Sequence, residues 1–238
     1  DGWVNTHQEA EALRYQLKRY GIELITLTED FFDKIWEDRP CLPKSPVFIL
    51  DEERTGASNK KKISRIRTAL DKLHGGDIIL SSLDEIAWTL NLRGDDVHCN
   101  PVFISYLLIT PKDNTLYILE EKITDEVRNY LSNHQVNIKT YQALAEDLRT
   151  FASEHQGVLQ ISPLANEALY DLSTRYADTI VASSPVALMK AVKNETEQAG
   201  FRKAMERDGV ALVKFLRWLK AAVPAGNESE LSVDKKLY

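Results

Sequence analysis

The chain predicts an α/β fold: a mixed β-sheet with helices on its faces, followed by a separate long helix. Three observations carry this. Between Val47 and Ala182, short apolar runs of strand type alternate with amphipathic stretches of roughly ten residues. From Pro185 onward the short runs stop and only helical periodicity remains. Several helical stretches also open on Thr or Asn, whose side-chain oxygens can accept from the unpaired N–H groups of a first turn.

The elements follow in order. Thr6 predicts the cap of a helix over His7 to Tyr20, with Glu9 as its capping-box partner, Leu13 and Leu17 at helical spacing and Gly21 as the stop. Ile22 to Leu27 reads as a short buried strand. Phe31, Phe32, Ile35 and Trp36 read as an apolar patch contributing to a core. Pro40, Pro43 and Pro46 make a stiff connector, which places a domain boundary between Arg39 and Ser45. Beyond it, strands are expected at 47–50, 78–81, 102–109, 115–119, 136–139, 157–161 and 179–182. Helices are expected at 59–73, 83–90, 124–133, 141–154 and 166–175. Pro111-Lys112-Asp113-Asn114 joins two of the strands as a hairpin.

Pro185 suits the first turn of a short helix to Val192. Asn194, with Glu197 three residues on, caps a long helix that runs to Pro224-Ala225-Gly226. Its stripe of Phe201, Met205, Leu212, Phe215, Leu216, Leu219 and Val223 needs a surface to cover it, and Asp208 is placed on this helix as a structural residue. The expected domains are 1–44, 45–183 and 184–238.

Composition narrows the function classes. The 238 residues carry a net charge of −6, with 30 Lys and Arg among 36 Asp and Glu, so no basic face is available to hold a phosphate backbone. The one dense basic run, Lys60 to Lys62, reads as a solvated helix face. No apolar run approaches the length of about 20 residues that spans a bilayer, and no secretory signal opens the chain. Neither nucleic acid nor membrane is therefore an expected partner. Cys41 and Cys99 form no disulfide framework or CxxC pair, which suits a reducing cytoplasm. The chain opens on Asp1 without Met, and upstream sequence is expected to be missing.

One segment is more specific. Leu83 to Thr110 contains Glu85-Ile86-Ala87-Trp88, then Asn91-x-Arg93-Gly94 with Asp95 or Asp96, then Asn100-Pro101, then Ser105-Tyr106. These motifs resemble the middle domain of the long, three-domain Xaa-Pro aminopeptidases. Asp33, Ile35, Trp36, Arg39 and Pro40 match that family's "DxIWxxRP", and Ser184 to Leu219 is similar to the join into its catalytic domain and that domain's first helix. The resemblance implies a creatinase N-terminal-like α/β domain followed by the first helix of a pita-bread catalytic domain that is missing here. It also implies a cytoplasmic parent enzyme that removes the N-terminal residue from peptides with proline second, works as a homodimer and uses two divalent metal ions, with manganese the expected metal. The family's ligand set of two aspartates, one histidine and two glutamates has no counterpart in this sequence. The chain itself is thus expected to hold no catalytic residue, metal ligand or cofactor. A binding module of the same fold, as in a histone-chaperone subunit, is the competing reading, and the sequence beyond Tyr238 would discriminate the two.

The residues left to consider are few. His7, His74, His98, His134 and His155 lack HxxxH or HExxH spacing and read as surface or loop histidines. His98 and Cys99 lie beside Asp95 and Asp96, but neighbours on an extended chain point to opposite sides and do not converge on one ion. Asp84 and Glu85 offset the positive end of a helix macrodipole. The candidate functional segment is the turn containing Arg93, Asp95, Asp96, His98, Asn100 and Pro101. Arg93 is expected to clamp Asp95 or Asp96. By resemblance the loop faces the active-site mouth of the complete enzyme. The Asn100-Pro101 bond is open to either isomer.

Overall fold

The computed structural model describes all residues except 28–31, 33, 34, 74, 75, 155, 156 and 238, and the side chains of 152 and 154. Phe31, Asp33, His74 and His155 therefore lie outside the described residues. Contact grouping divides the chain into two units, Asp1–Glu52 with Ala57–Val192, and Glu53–Gly56 with Lys193–Tyr238.

The first unit begins with α1 (His7–Lys18), where Thr6 and Glu9 form the predicted capping box. β1 (Phe48–Ile49) precedes α3 (Asn59–Leu73), and the short α2 (Glu52–Thr55) between them belongs to the second unit from Glu53 onward. β2 (Gly76–Leu80) leads to α4 (Leu83–Leu90), β3 (Leu92–Arg93) and the hairpin of β4 (Ser105–Ile109) and β5 (Asn114–Ile118). A 3-10 turn at Glu120–Lys122 and α5 (Asp125–Asn133) follow. Then come β6 (Asn137–Thr140), α6 (Ala143–Glu154), β7 (Val158–Ile161), α7 (Glu167–Tyr176), β8 (Thr179–Val181) and α8 (Pro185–Ala191).

Six strands form a mixed sheet in the order β6-β5-β4-β2-β7-β8, antiparallel at β2–β4 and β4–β5 and parallel elsewhere, while β1 pairs with β3 apart from it. Side chains alternate between the faces of a strand, so each central strand feeds two cores. Ile78, Leu80, Leu107, Ile109, Leu116 and Ile118 pack with α3, α4, α5 and α8. Ile79, Tyr106, Leu108, Tyr117, Leu159 and Ile161 pack with α6 and α7 on the other face. Each large side chain so buried stabilises the fold by about 1.5–3 kcal/mol.

The second unit is built on α9 (Glu195–Ala222), with the predicted capping box of Asn194 and Glu197, and on α10 (Glu230–Leu237). Asn194 Nδ2 also donates to Thr55 O at 2.8 Å. The helix ends in a 3-10 turn at Val223–Ala225, closed by Gly226 at φ +73.

Several expectations fail, each for a physical reason. Residues 22–27 form no strand: Ile22, Ile25 and Leu27 are exposed, and their backbone meets the chain through Gly2 N–H to Leu27 O rather than along a neighbouring strand. Phe32, Ile35 and Trp36 are exposed rather than core. Lys62 is buried, not solvated, because it shares the face of α3 that carries Ile63, Ile66 and Leu70. The stripe on α9 is a different case: the helix buries no residue within this chain, and Phe201, Met205, Leu212 and Leu216 are each at least half exposed, so the surface expected to cover them is not supplied by the described residues. Apart from these expectations, α1 docks on α7 within the first unit: His7 Nδ1 lies 2.7 Å from Glu167, which also pairs with Arg14. His7 is accordingly buried, its ring stacked on Tyr170 at 3.5 Å, and is no surface residue.

Candidate functional site

The loop between β3 and β4 is built from the end of α4. Asn91 turns the chain at φ 55, a left-handed conformation that Asn tolerates better than most residues. Its side chain is buried, donating to Ala57 O at 2.9 Å and accepting from Lys62 Nζ at 2.6 Å. Lys62 also donates to Trp88 O and lies 4.2 Å from the Trp88 ring, so its charge sits at the carbonyl end of α4 with an aromatic face beside it. Arg93 adds a second cation there, donating from Nη1 to Ala87 O at 2.9 Å and Leu92 O at 2.8 Å.

These contacts of Arg93 run to backbone oxygens of α4 and β3, beside the expected clamp on Asp95 or Asp96. For Asp96, Ile104 N–H donates to it at 2.7 Å, and the ammonium of Lys122 pairs with its other oxygen. Both side chains of that pair are fully excluded from solvent, and Lys122 also reaches Ser45 O at 3.4 Å. A buried pair is tolerable only when further hydrogen bonds satisfy both ions, as they do here. Asp95, by contrast, is exposed.

Above this anchor the backbone folds on itself. Gly94 N–H donates to Pro101 O and Asp96 N–H to Val102 O. Gly94 is required at its position because a Cβ would stand 2.8 Å from Phe103 Cβ and 3.0 Å from Val102 O. Val97 and Asn100 bridge across the tip, with Cys99 at φ 59 between them. Asn100-Pro101 is trans, which settles the isomer left open by the sequence. The outcome is an exposed tip of Val97, His98, Cys99, Asn100 and Pro101 on a fixed base. All six candidate residues thus belong to one segment, with Arg93 and Asp96 in its base and Asp95, His98, Asn100 and Pro101 on its surface.

Nearby groups have perturbed titration. Burial raises the Glu85 carboxyl above its ordinary range, opposed by a hydrogen bond with Ser184. Burial also pushes the Tyr130 hydroxyl up to about 12, where it donates to Leu90 O. Asp84 pairs with Lys190. Lys122 and Lys62 went unrecognised in the sequence. Only Lys62 carried a signal, its four-residue step to Ile66 and Leu70.

Among the described residues no group of three or more His, Cys, Asp or Glu side chains is placed to hold a metal ion. The dinuclear centre implied by resemblance therefore does not fit this donor set. No helix among the described residues is long and apolar enough to cross a membrane.

Comparison with known proteins places this geometry. The chain is 37% identical over 223 residues to the "Probable Xaa-Pro aminopeptidase P" of Sordaria macrospora, covering 89% of this chain and 36% of that protein. The protein of the same name in Coprinopsis cinerea is 34% identical over 242 residues, covering 96% and 39%. This chain thus spans little more than a third of such relatives. Its structure superposes on an X-prolyl aminopeptidase from Caenorhabditis elegans, described as a cytosolic enzyme with a di-nuclear active site. The TM-score is 0.87 at 28% identity, over 98% of this chain and 39% of the other. A Xaa-Pro dipeptidase from Bacillus anthracis shares the fold at a TM-score of 0.58 and 16% identity, over 76% and 48%. The model of the creatinase/prolidase N-terminal domain matches residues 38–197, which includes the whole sheet and the loop described above, and the chain belongs to that family.

Proposed function

We propose that this chain is the non-catalytic portion of a metal-dependent Xaa-Pro aminopeptidase, whose intact form removes the N-terminal residue from peptides with proline second. The carrying observation is its likeness, across nearly its whole length, to little more than a third of the length of several Xaa-Pro or X-prolyl aminopeptidases. In this reading residues 1–44 close a first domain, 45–183 form a second, and 184–238 begin the catalytic domain. The two divalent metal ions, manganese in our proposal, belong to that domain and not to the described residues. The enzyme is cytoplasmic and dimeric.

The loop of Arg93, Asp95, Asp96, His98, Asn100 and Pro101 then serves the active-site mouth. Its exposed tip limits access to short, free N-termini, and its buried Asp96–Lys122 base keeps the tip in place. The test is an assay of the purified 238-residue chain with manganese on a proline-second peptide, beside the full-length protein. We expect turnover from the full-length protein alone. Turnover by the pure shorter chain would overturn the proposal.

A further inference from the structure

A separate feature lies where the central parallel strands β2 and β7 end. After β2 the chain leaves through α4 onto one face of the sheet, and after β7 it leaves through α7 onto the other. Connections that part in this way open a crevice at the carboxyl ends of the two strands, the position where open α/β sheets characteristically take ligands. A cavity of about 170 Å³ occupies it here, and all ten residues lining it are uncharged.

Its walls combine hydroxyls, one amide and two aromatic rings with the aliphatic side chains of Val4, Leu83, Ile104 and Leu164. Ser81 follows β2 directly, and Ser105 opens the neighbouring β4. The Tyr106 and Tyr141 rings stack with centroids 5.2 Å apart, and Asn166 Nδ2 donates to the Tyr106 hydroxyl at 3.1 Å. Tyr141 hydrogen-bonds the same hydroxyl, and its burial holds it protonated. Leu164, largely exposed, edges the mouth.

Charge complementarity excludes the usual anion. The first turns of α4 and α7 carry Asp84, Glu85 and Glu167, which offset the positive helix ends. Those carboxylates are themselves engaged by Lys190, Ser184, His7 and Arg14, so they offer little to a cation. What suits neutral donors and acceptors beside a flat ring face is a planar, uncharged group that both donates and accepts. We propose that this crevice is a binding site for a peptide-bond amide, taken from a short peptide segment. The proposal stands apart from the peptidase reading, and either can fail alone.

The test is an NMR titration of the 238-residue chain with N-acetylalanine methylamide, with sodium acetate and methylammonium chloride as charged counterparts. We expect saturable shifts of the Asn166 side-chain amide and of the Tyr106 and Tyr141 rings, with a dissociation constant on the order of 1–10 mM for so small a probe. Ser81→Tyr, which fills the cavity, should weaken binding by about tenfold or more while the melting temperature holds, the loss expected when contacts to a small ligand are blocked. Tyr141→Phe, which keeps the ring and removes the hydroxyl, should weaken it by a smaller factor. Absence of saturable shifts at these groups, equal or tighter binding of acetate or methylammonium, or undiminished binding by Ser81→Tyr would overturn the proposal. If Ser81→Tyr does not fold, an unchanged dissociation constant in Tyr141→Phe overturns it instead.

Discussion

Lys122 and Asp96 show how one pair can fix a loop. Both ions are out of water, so removing one leaves the other charged and without its partner. Lys122→Ala should therefore cost about 3–5 kcal/mol of stability, read as a fall in the denaturant midpoint. The double change Lys122→Met with Asp96→Leu should cost much less, because no buried charge is left behind, although Ile104 N–H loses its acceptor. Equal losses in single and double variants would argue that packing, not charge, holds the loop. Glu85 gives the opposite case. Burial raises its folded pKa above the unfolded one, so its contribution to stability is complete below the ordinary carboxylate value and is lost as pH rises through the folded value. At pH 7 Glu85→Gln should melt at a higher temperature than the parent, and the difference should shrink on acidification toward the unfolded carboxylate range. A difference that grows at acid pH would contradict the assignment.

At the scale of elements, β2 and β7 lie so close that Gly76 has no room for a side chain: a Cβ there would stand 2.2 Å from Val158 O. Gly76→Ala should cost about 1–3 kcal/mol through forced separation of the strands, with amide exchange accelerating first in β7 and β8. Exchange rising uniformly across the sheet would point to a different cause. Most elements were legible because their signals are local. The capping boxes at Thr6 and Asn194, the span of α3 and α4, and the hairpin turn before Asn114 all follow from a few adjacent residues. Residues 22–27 were misread because an apolar run says nothing about whether a partner strand is near. The two-residue strands β1 and β3 escaped notice for the converse reason, since each exists only through the other. The loop was legible as a motif, but its anchor was not. Lys122 is 26 residues from Asp96, and no short-range pattern links them.

For the molecule as a whole, the cores of the first unit lie between the sheet and its own helices, whereas α9 buries no residue. Half-exposed Phe201, Met205, Leu212 and Leu216 leave an apolar surface that water disfavours. The 238-residue chain should therefore self-associate as its concentration rises, and a chain ending at Val192 should stay monomeric with a melting temperature within a few degrees of the parent. Light scattering and thermal melts check both. A longer chain that remains monomeric at high concentration would show that this helix satisfies its apolar face alone.

The sealed pair beneath the loop also separates two kinds of electrostatics in this protein. Arg128–Glu120, Arg149–Glu146 and Lys44–Glu121 stand in solvent, where counter-ions shorten the reach of a charge to about 3 Å at 1 M salt. Counter-ions cannot enter between Lys122 and Asp96. Rising ionic strength should thus slacken the periphery while the base of the loop stays fixed, so the loop keeps its shape across conditions that loosen its surroundings.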